Sequence, residues 1–256
     1  MKMIDLHCHI LPGLDDGAQT MEESVEMARL AVEQGIDTVV ATPHHLHTRY
    51  RNPKSLVIQK TAQLNDELFQ QGIELTVLPG QEIRLNGELE AFESEEMLSI
   101  NKNSGYVFLE LPNHEIPHYA KKMMYEIQLL GYKPVLVHPE RNKMIRQQPN
   151  ELYNFVKNGA ITQVTAASIA GKLGKEVQKF SYQMIEFNLT HLVASNAHDS
   201  KKRGFFMKEA YSKIEKKFGT DLMYQFMENA HVVLEGEMVY TDPPERIRTK
   251  KRLGIF

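Results

Sequence analysis

The feature that most constrains this chain is an alternation between two periods. Seven short runs, rich in β-branched and other apolar residues, stand at 3–7 (MIDLH), 37–42 (DTVVAT), 74–83 (ELTVLPGQEI), 106–111 (YVFLEL), 133–138 (KPVLVH), 161–166 (ITQVTA) and 191–196 (HLVASN). Most carry little polar alternation, as strands do when a parallel sheet is covered on both faces. Stretches with helical spacing separate them, at roughly 20–35, 54–71, 117–130, 150–158, 174–189 and 205–218. In the first, Thr20 and Glu23 form a capping-box pattern, Met21, Val25, Ala28 and Val32 share a face, and Gly35 ends the helix. Such repetition predicts an α/β fold, a β/α barrel one unit short of the usual eight. An open doubly wound sheet is the alternative, but no glycine-rich phosphate loop follows the first run.

The length of 256 residues fits one domain spanning 1–256, with a basic tail at about 243–256. Within that tail, ERIRTKKR (245–252) has five basic residues in eight, which reads as a solvated tail or as a contact for an acidic partner or anionic surface. No apolar run approaches the roughly 18 residues of a membrane helix, so no membrane insertion is expected. The first residues enter a strand pattern with no signal-peptide core, and a single cysteine suits a reducing compartment; a cytoplasmic location is expected. The net charge of −3 gives no reason to expect a nucleic-acid partner.

Chemistry-bearing residues collect where the strands end. The first run ends in His7 and His9, followed by Asp15 and Asp16; the second leads to His44, with His45 and His47 nearby. The third ends at Glu82, the fourth at Glu110, the fifth at His138, and the seventh at Asn196 and His198. In a β/α barrel those ends converge on the face that carries the active site. Imidazoles and carboxylates brought together suit Mn, Fe or Zn, and these are too many for one ion. The pattern predicts a two- or three-metal centre, an arrangement suited to phosphoryl transfer. Two arginines sit beside candidate ligands: Arg141 three residues after His138, and Arg203 five after His198. Their forked donors suit phosphate oxygens, so both are candidates for substrate binding and catalysis.

Cys8, between the two histidines, is the obvious rival nucleophile. Strand alternation puts residues 7 and 9 on one side and residue 8 on the other. A cysteine-dependent phosphatase also needs an arginine six residues after the cysteine, and that position is Leu14. Cys8 reads as a small buried apolar residue.

The ordered set HCH…DDG, ATPHH, PGQEI, ELP, HPERN and ASNAH resembles the PHP (polymerase and histidinol phosphatase) superfamily over nearly the whole chain. Within it, the chain looks most like the manganese-dependent protein-tyrosine phosphatases of capsule and exopolysaccharide operons, the CpsB/YwqE type. The resemblance implies a distorted seven-stranded β/α barrel and three metal sites. His7, His9, Glu82 and Asn196 would form one; Glu82, Glu110 and His138 a second; Asp16, His44 and His198 a third. Asp15 and Asp16 could exchange roles. It further implies hydrolysis of phosphotyrosine by a metal-activated hydroxide, with Arg141 and Arg203 at the phosphate. The implied substrate is a membrane-anchored bacterial tyrosine kinase, met at the inner face of the membrane. The rival readings are a small-molecule phosphoesterase of the histidinol-phosphatase kind and a metal-depleted phosphotyrosine-binding module. The second draws on Asn196, because family members usually carry aspartate there.

This reading makes a direct prediction about the cysteine. Cys8→Ser should keep its activity within a few-fold of the parent, and thiol-directed reagents should leave turnover unchanged. An inactive Cys8→Ser that is folded and metal-loaded would sink the metal-based reading.

Overall fold

The computed structural model describes residues 2–87 and 96–247, so the tail beyond residue 247 lies outside the described residues. All seven runs form strands, the third run two of them, and one short strand, β3, lies outside the runs: β1 (Met3–Cys8), β2 (Ile36–Ala41), β3 (His44–His45), β4 (Thr76–Pro79), β5 (Glu82–Arg84), β6 (Tyr106–Glu110), β7 (Lys133–Val137), β8 (Ile161–Thr165) and β9 (Leu192–Ala194). Among the described residues they make two parallel sheets, ordered β1-β2-β4 and β3-β5-β6-β7-β8-β9. The expected seven strands of one barrel are thus nine strands in two sheets, with no closed sheet.

The physical reason is a pair of adjacent breaks. The second run stops before Pro43, which has no N–H to give to a ladder, and the third stops at Gly80 and Gln81. A Cβ at Gly80 would lie 2.9 Å from Val40 Cγ1 and 3.0 Å from Ile100 Cδ1, so glycine alone lets the chains approach there. Hydrogen bonds still cross the breaks, from Thr42 N to Cys8 O (2.9 Å), Gly80 N to Ala41 O (2.8 Å) and Glu82 N to Pro43 O (3.1 Å). At the other side, β1 and β9 meet through an isolated bridge, Cys8 to Ala197, flanked by Asn196 N to His7 O and His9 N to Ala197 O, both 2.8 Å.

The helices are α1 (Met21–Glu33), α2 (Lys54–Gln70), α3 (Ala120–Leu129), α4 (Lys143–Gln147), α5 (Pro149–Lys157), α6 (Ala166–Ala170), α7 (Lys175–Glu186), α8 (Met207–Phe218) and α9 (Thr220–Glu235). In α1, Thr20 Oγ1 accepts from Glu23 N at 3.3 Å, while the Glu23 carboxylate reaches one residue further back, to Gln19 N at 2.6 Å. Its buried face runs through Ser24, Val25, Met27, Ala28 and Ala31, leaving Val32 exposed. Three helices lie outside the expected stretches. α4 and α6 are single short turns, and α6 ends the sixth strand one residue early. α9 buries Phe226, Ala230 and Val233, a spacing of four and three that was available in the sequence.

Two apolar layers result. An outer one fills the space between sheets and helices, and contains Cys8. An inner one lies between the strands and holds Ile4, Leu6, Val40, Phe108, Val135, Val137 and Ala194, together with Ala230 and Val233 of α9. Strand alternation above this inner layer aims the functional residues. Phe108 faces inward, so Glu110 does too; Ala194 leads in the same way to Asn196 and His198.

Two strands need a device. On β1, Ile4 and Leu6 face inward, so simple alternation would send His7 and His9 outward. Asp5 stands opposite Val39 but Cys8 opposite Ala41, three residues against two, and this bulge reverses the facing. On β7, Val135 and Val137 face inward, which would turn His138 out; a left-handed backbone at His138 (φ 36°) brings it back.

Phe108 packs beneath the site, its ring 5.5 Å from that of His7. Phe108→Ala should lower stability by about 3–5 kcal/mol, measured by urea unfolding. A loss under 1 kcal/mol would mean that the inner layer collapses onto the gap.

Candidate metal centre

The strand ends and the loops after them bring eight of the nine candidate ligands together, and Asn196 joins them through its backbone, its N donating to His7 O and its O accepting from His198 Nδ1. Glu82, on β5, is at the middle. Its Oε2 lies 3.3 Å from His7 Nε2, 3.2 Å from His9 Nε2 and 3.1 Å from His44 Nδ1, and its Oε1 is 2.7 Å from His138 Nε2. Glu110 adds an oxygen 3.7 Å from His44 Nδ1 and another 4.0 Å from His138 Nε2. Asp16 Oδ1 faces His44 Nε2 at 3.5 Å and His198 Nε2 at 3.6 Å. His9, Asp16, His44 and His198 form one group able to hold an ion; His7, His9 and Glu82 form another; His44, Glu82 and Glu110 a third. The structure thus also sets His44 beside Glu82 and Glu110, where sequence reasoning had put His138.

Asp15 and Asp16 divide their tasks. Asp15 Oδ2 lies 2.6 Å from His9 Nδ1 and accepts from His44 N at 2.9 Å, while its Oδ1 accepts from Gly17 N at 2.9 Å. It stands behind His9 and leaves Nε2 free to face the centre. A Cβ at Gly17 would fall 2.1 Å from His9 O, so the turn closes on His9 only with glycine. Gln163 Oε1 holds His7 Nδ1 at 3.0 Å, and the Asn196 carbonyl holds His198 Nδ1 at 2.9 Å. Asp199 turns away and caps the amides of Lys201, Lys202 and Arg203.

Among the described residues, His44 Nδ1, Glu82 Oε2 and His198 Nε2 at the centre, and Asn196 Oδ1, are buried and make no hydrogen bond. Leaving such groups unmet is costly, and each is a donor atom that a cation would satisfy. The ionisation of the cluster points the same way. Burial resists a charge on His9, but Asp15 and then Glu82 push it up to about 10. Burial, and then the charge of Glu82, lift Glu110 to about 7. Both are a demand for positive charge met by protons. Burial takes His138 down to about 3, and burial followed by the charge of His9 holds His198 well below its usual range, so both present neutral imidazoles. The hydrogen bond from His44 and, after the opposing effect of burial, the Arg203 ion pair keep Asp16 ionised. The residues fit a site for divalent metal.

The arginines differ. Arg203 Nη1 pairs with Asp16 Oδ2 at 2.8 Å on the exposed side. Arg141, in a 3-10 turn after His138, lies close enough to act on the ionisation of Glu110 and His138; among the described residues its guanidinium has no hydrogen-bond or ion-pair partner. Sequence reasoning missed Arg84, which pairs with Glu110 Oε2 at 3.0 Å and donates to Leu111 O at 3.1 Å. The signal was its spacing two residues after Glu82.

Residues 3–235 match the family described as capsular polysaccharide synthesis, CpsB/CapC. The chain belongs to the CpsB/CapC family. It is 46% identical over 255 residues to the tyrosine-protein phosphatase YwqE of Bacillus subtilis, covering 99% of this chain and all of that one. It is 37% identical over 258 residues to the putative tyrosine-protein phosphatase CapC of Staphylococcus aureus, with 99% and 100% covered. A crystal structure from the work on YwqE and Streptococcus pneumoniae CpsB, described as metal-dependent tyrosine phosphatases, superposes with a TM-score of 0.93 at 46% identity, covering 96% of this chain and all of the other. The organophosphorus hydrolase of Deinococcus radiodurans shares the fold at 12% identity, with a TM-score of 0.53 over 91% and 92% of the two chains.

Within this CpsB/CapC site, Asp15 is tested as a positioning residue. Asp15→Ala should weaken affinity for divalent metal about 10–100-fold, read by isothermal titration with Mn and with Zn. Unchanged affinity would mean that His9 holds its orientation without Asp15.

Proposed function

We propose that this chain is a metal-dependent protein-tyrosine phosphatase that hydrolyses phosphotyrosine without a covalent enzyme intermediate. The observation that carries it is the buried array of unpartnered imidazole and carboxylate atoms with two guanidiniums at its edge, in a chain of this family. His7, His9, Glu82 and Asn196 would hold one ion, Glu82, Glu110 and His138 a second, and Asp16, His44 and His198 a third. His9 and His44 also face Glu82 and Asp16 from between these sets. When bound, divalent ions supply an activated water and neutralise phosphate charge. Manganese is the proposed metal, as the resemblance implies.

The chain's own residues do the rest. Arg141, whose guanidinium has no partner among the described residues, binds non-bridging phosphate oxygens and stabilises their charge as the water oxygen bonds to phosphorus. Arg203 can share its donors between Asp16 and the phosphate. The bond to the tyrosyl oxygen breaks to give a phenolate, whose pKa near 10 requires only modest protonation. Cys8 lies in the outer apolar layer with Sγ toward Ala197 O at 3.6 Å, which supports a mechanism that does not use it.

The proposed substrate is the tyrosine-rich tail of a membrane-anchored kinase that controls polysaccharide export, with the enzyme cytoplasmic and working at the inner face of the membrane. Among the described residues no helix is long and apolar enough to cross a membrane. We further propose that the two sheets act as one distorted seven-stranded barrel in a single domain, a reading supported by the bridge between Cys8 and Ala197.

The test is hydrolysis of a phosphotyrosine peptide after chelation and readdition of Mn, Mg, Fe or Zn, with histidinol phosphate in parallel. Turnover on the peptide, lost on chelation and restored by metal, is expected. Faster turnover of histidinol phosphate, or metal binding without any turnover, would overturn the proposal.

A second prediction concerns Asn196, a neutral residue with a left-handed backbone (φ 51°) that aspartate also tolerates. A unit charge about 4 Å from an ion is worth about 4 kcal/mol at an effective dielectric of about 20, less after screening by its neighbours. Asn196→Asp should therefore bind metal more tightly and turn over faster, with stability unchanged. Equal affinity and rate would remove position 196 from the ligand set.

A further inference from the structure

The ligand cluster opens to solvent on one side. His7, His9, Glu82 and His198 are buried, while the Asp16 side chain is 34% exposed and that of His44 12%. Immediately outside His44 stands a short aromatic series. The His47 ring stacks 5.2 Å from that of His44 at 27°, and the Tyr50 ring lies 5.5 Å from His47 at 24°. Tyr50 is nearly parallel to His44, at 9° and 6.0 Å.

The loop that carries these rings is held in shape. His47 N donates to Tyr50 O at 3.1 Å, and Tyr50 N donates to His47 O at 3.2 Å. Arg49 N donates to His47 Nδ1 at 3.3 Å, and the Arg49 guanidinium lies 5.2 Å from the Tyr50 ring centroid. Both rings are only half-buried. No role in ligation or in the fold's core accounts for two aromatic side chains fixed at this place.

We infer that His47 and Tyr50 form the wall against which the phenyl ring of the substrate packs, making the site selective for aryl over alkyl phosphates. A phosphate held by the arginines beside His44 projects its ester group outward. The first surface it meets beside His44 is His47 and Tyr50. A phenyl ring gains offset stacking there, whereas a serine or threonine side chain has no ring to place and ends nearer the phosphate. This inference rests on the phosphotyrosine reading above and names its source of selectivity.

The experiment compares two non-hydrolysable inhibitors, phenylphosphonate and methylphosphonate, on the metal-loaded enzyme with para-nitrophenyl phosphate as reporter. The parent should bind phenylphosphonate more tightly. Tyr50→Ala and His47→Ala should each weaken phenylphosphonate about 3–10-fold and leave methylphosphonate within twofold, with metal content unchanged. Tyr50→Phe, which keeps the ring, should behave as the parent. An unchanged ratio in both alanine variants overturns the inference, and so does an equal loss for both inhibitors, which would mark a structural role. Failure of the parent to hydrolyse any phosphotyrosine peptide is a separate result and counts against the proposed function itself.

Discussion

The structure is organised around one buried charge. Glu82 has no solvent contact, and four imidazoles converge on its two oxygens. A carboxylate in that position is untenable alone, because losing water costs it far more than one neighbour returns. Two of the imidazoles come from the end of β1, one from β3 and one from the end of β7, so β1, β3, β5 and β7 are fixed relative to one another by a single side chain. Asp15 and Gln163 then fix the His9 and His7 rings, and the Asn196 backbone carbonyl fixes that of His198 nearby.

That requirement explains the irregularities in the sheets. Regular strands above the inner layer would aim Glu110, Asn196 and His198 correctly but send His7, His9 and His138 into the helix layer. The β1 bulge and the left-handed turn at His138 correct those two strands. Each is a local cost placed beside the chemistry, and each is held by bonds to its neighbours, such as Asn196 N to His7 O and His138 N to Gln163 O. The breaks at Pro43 and Gly80 belong to the same region, where two strands draw close beneath His44 and Glu82.

Much of this was legible in the residues. Continuous β-branched runs gave the strands, and the positions of His, Asp and Glu at their ends gave the cluster of side chains that the structure brings together. What could not be read was phase. Alternation placed His7 opposite Cys8, which the structure bears out, but it gave no sign that both are out of step with Leu6. A bulge needs one extra residue in a strand, and no residue type announces it. The sheet breaks were hidden because ELTVLPGQEI reads as one run unless the crowding at Gly80 is known. Asp15 was visible only as a competitor of Asp16; its place behind His9 depends on the turn through Gly17. α9 was missed although Phe226, Ala230 and Val233 carry a helical period, since it continues from α8 with no strand between them.

That last helix has a consequence for the order of events. With Ala230 and Val233 packed against the inner layer, the end of the strand assembly opposite the ligands is sealed, and Asn229 ties the helix to it through His191 O at 2.9 Å. Among the described residues, the cluster is open beside Asp16 and His44. For a phosphorylated peptide, the phosphate is the deepest part to enter and the peptide stands in its way out. Under the proposed function, the dephosphorylated chain would leave before inorganic phosphate, and free phosphate would then compete with the next peptide for the site.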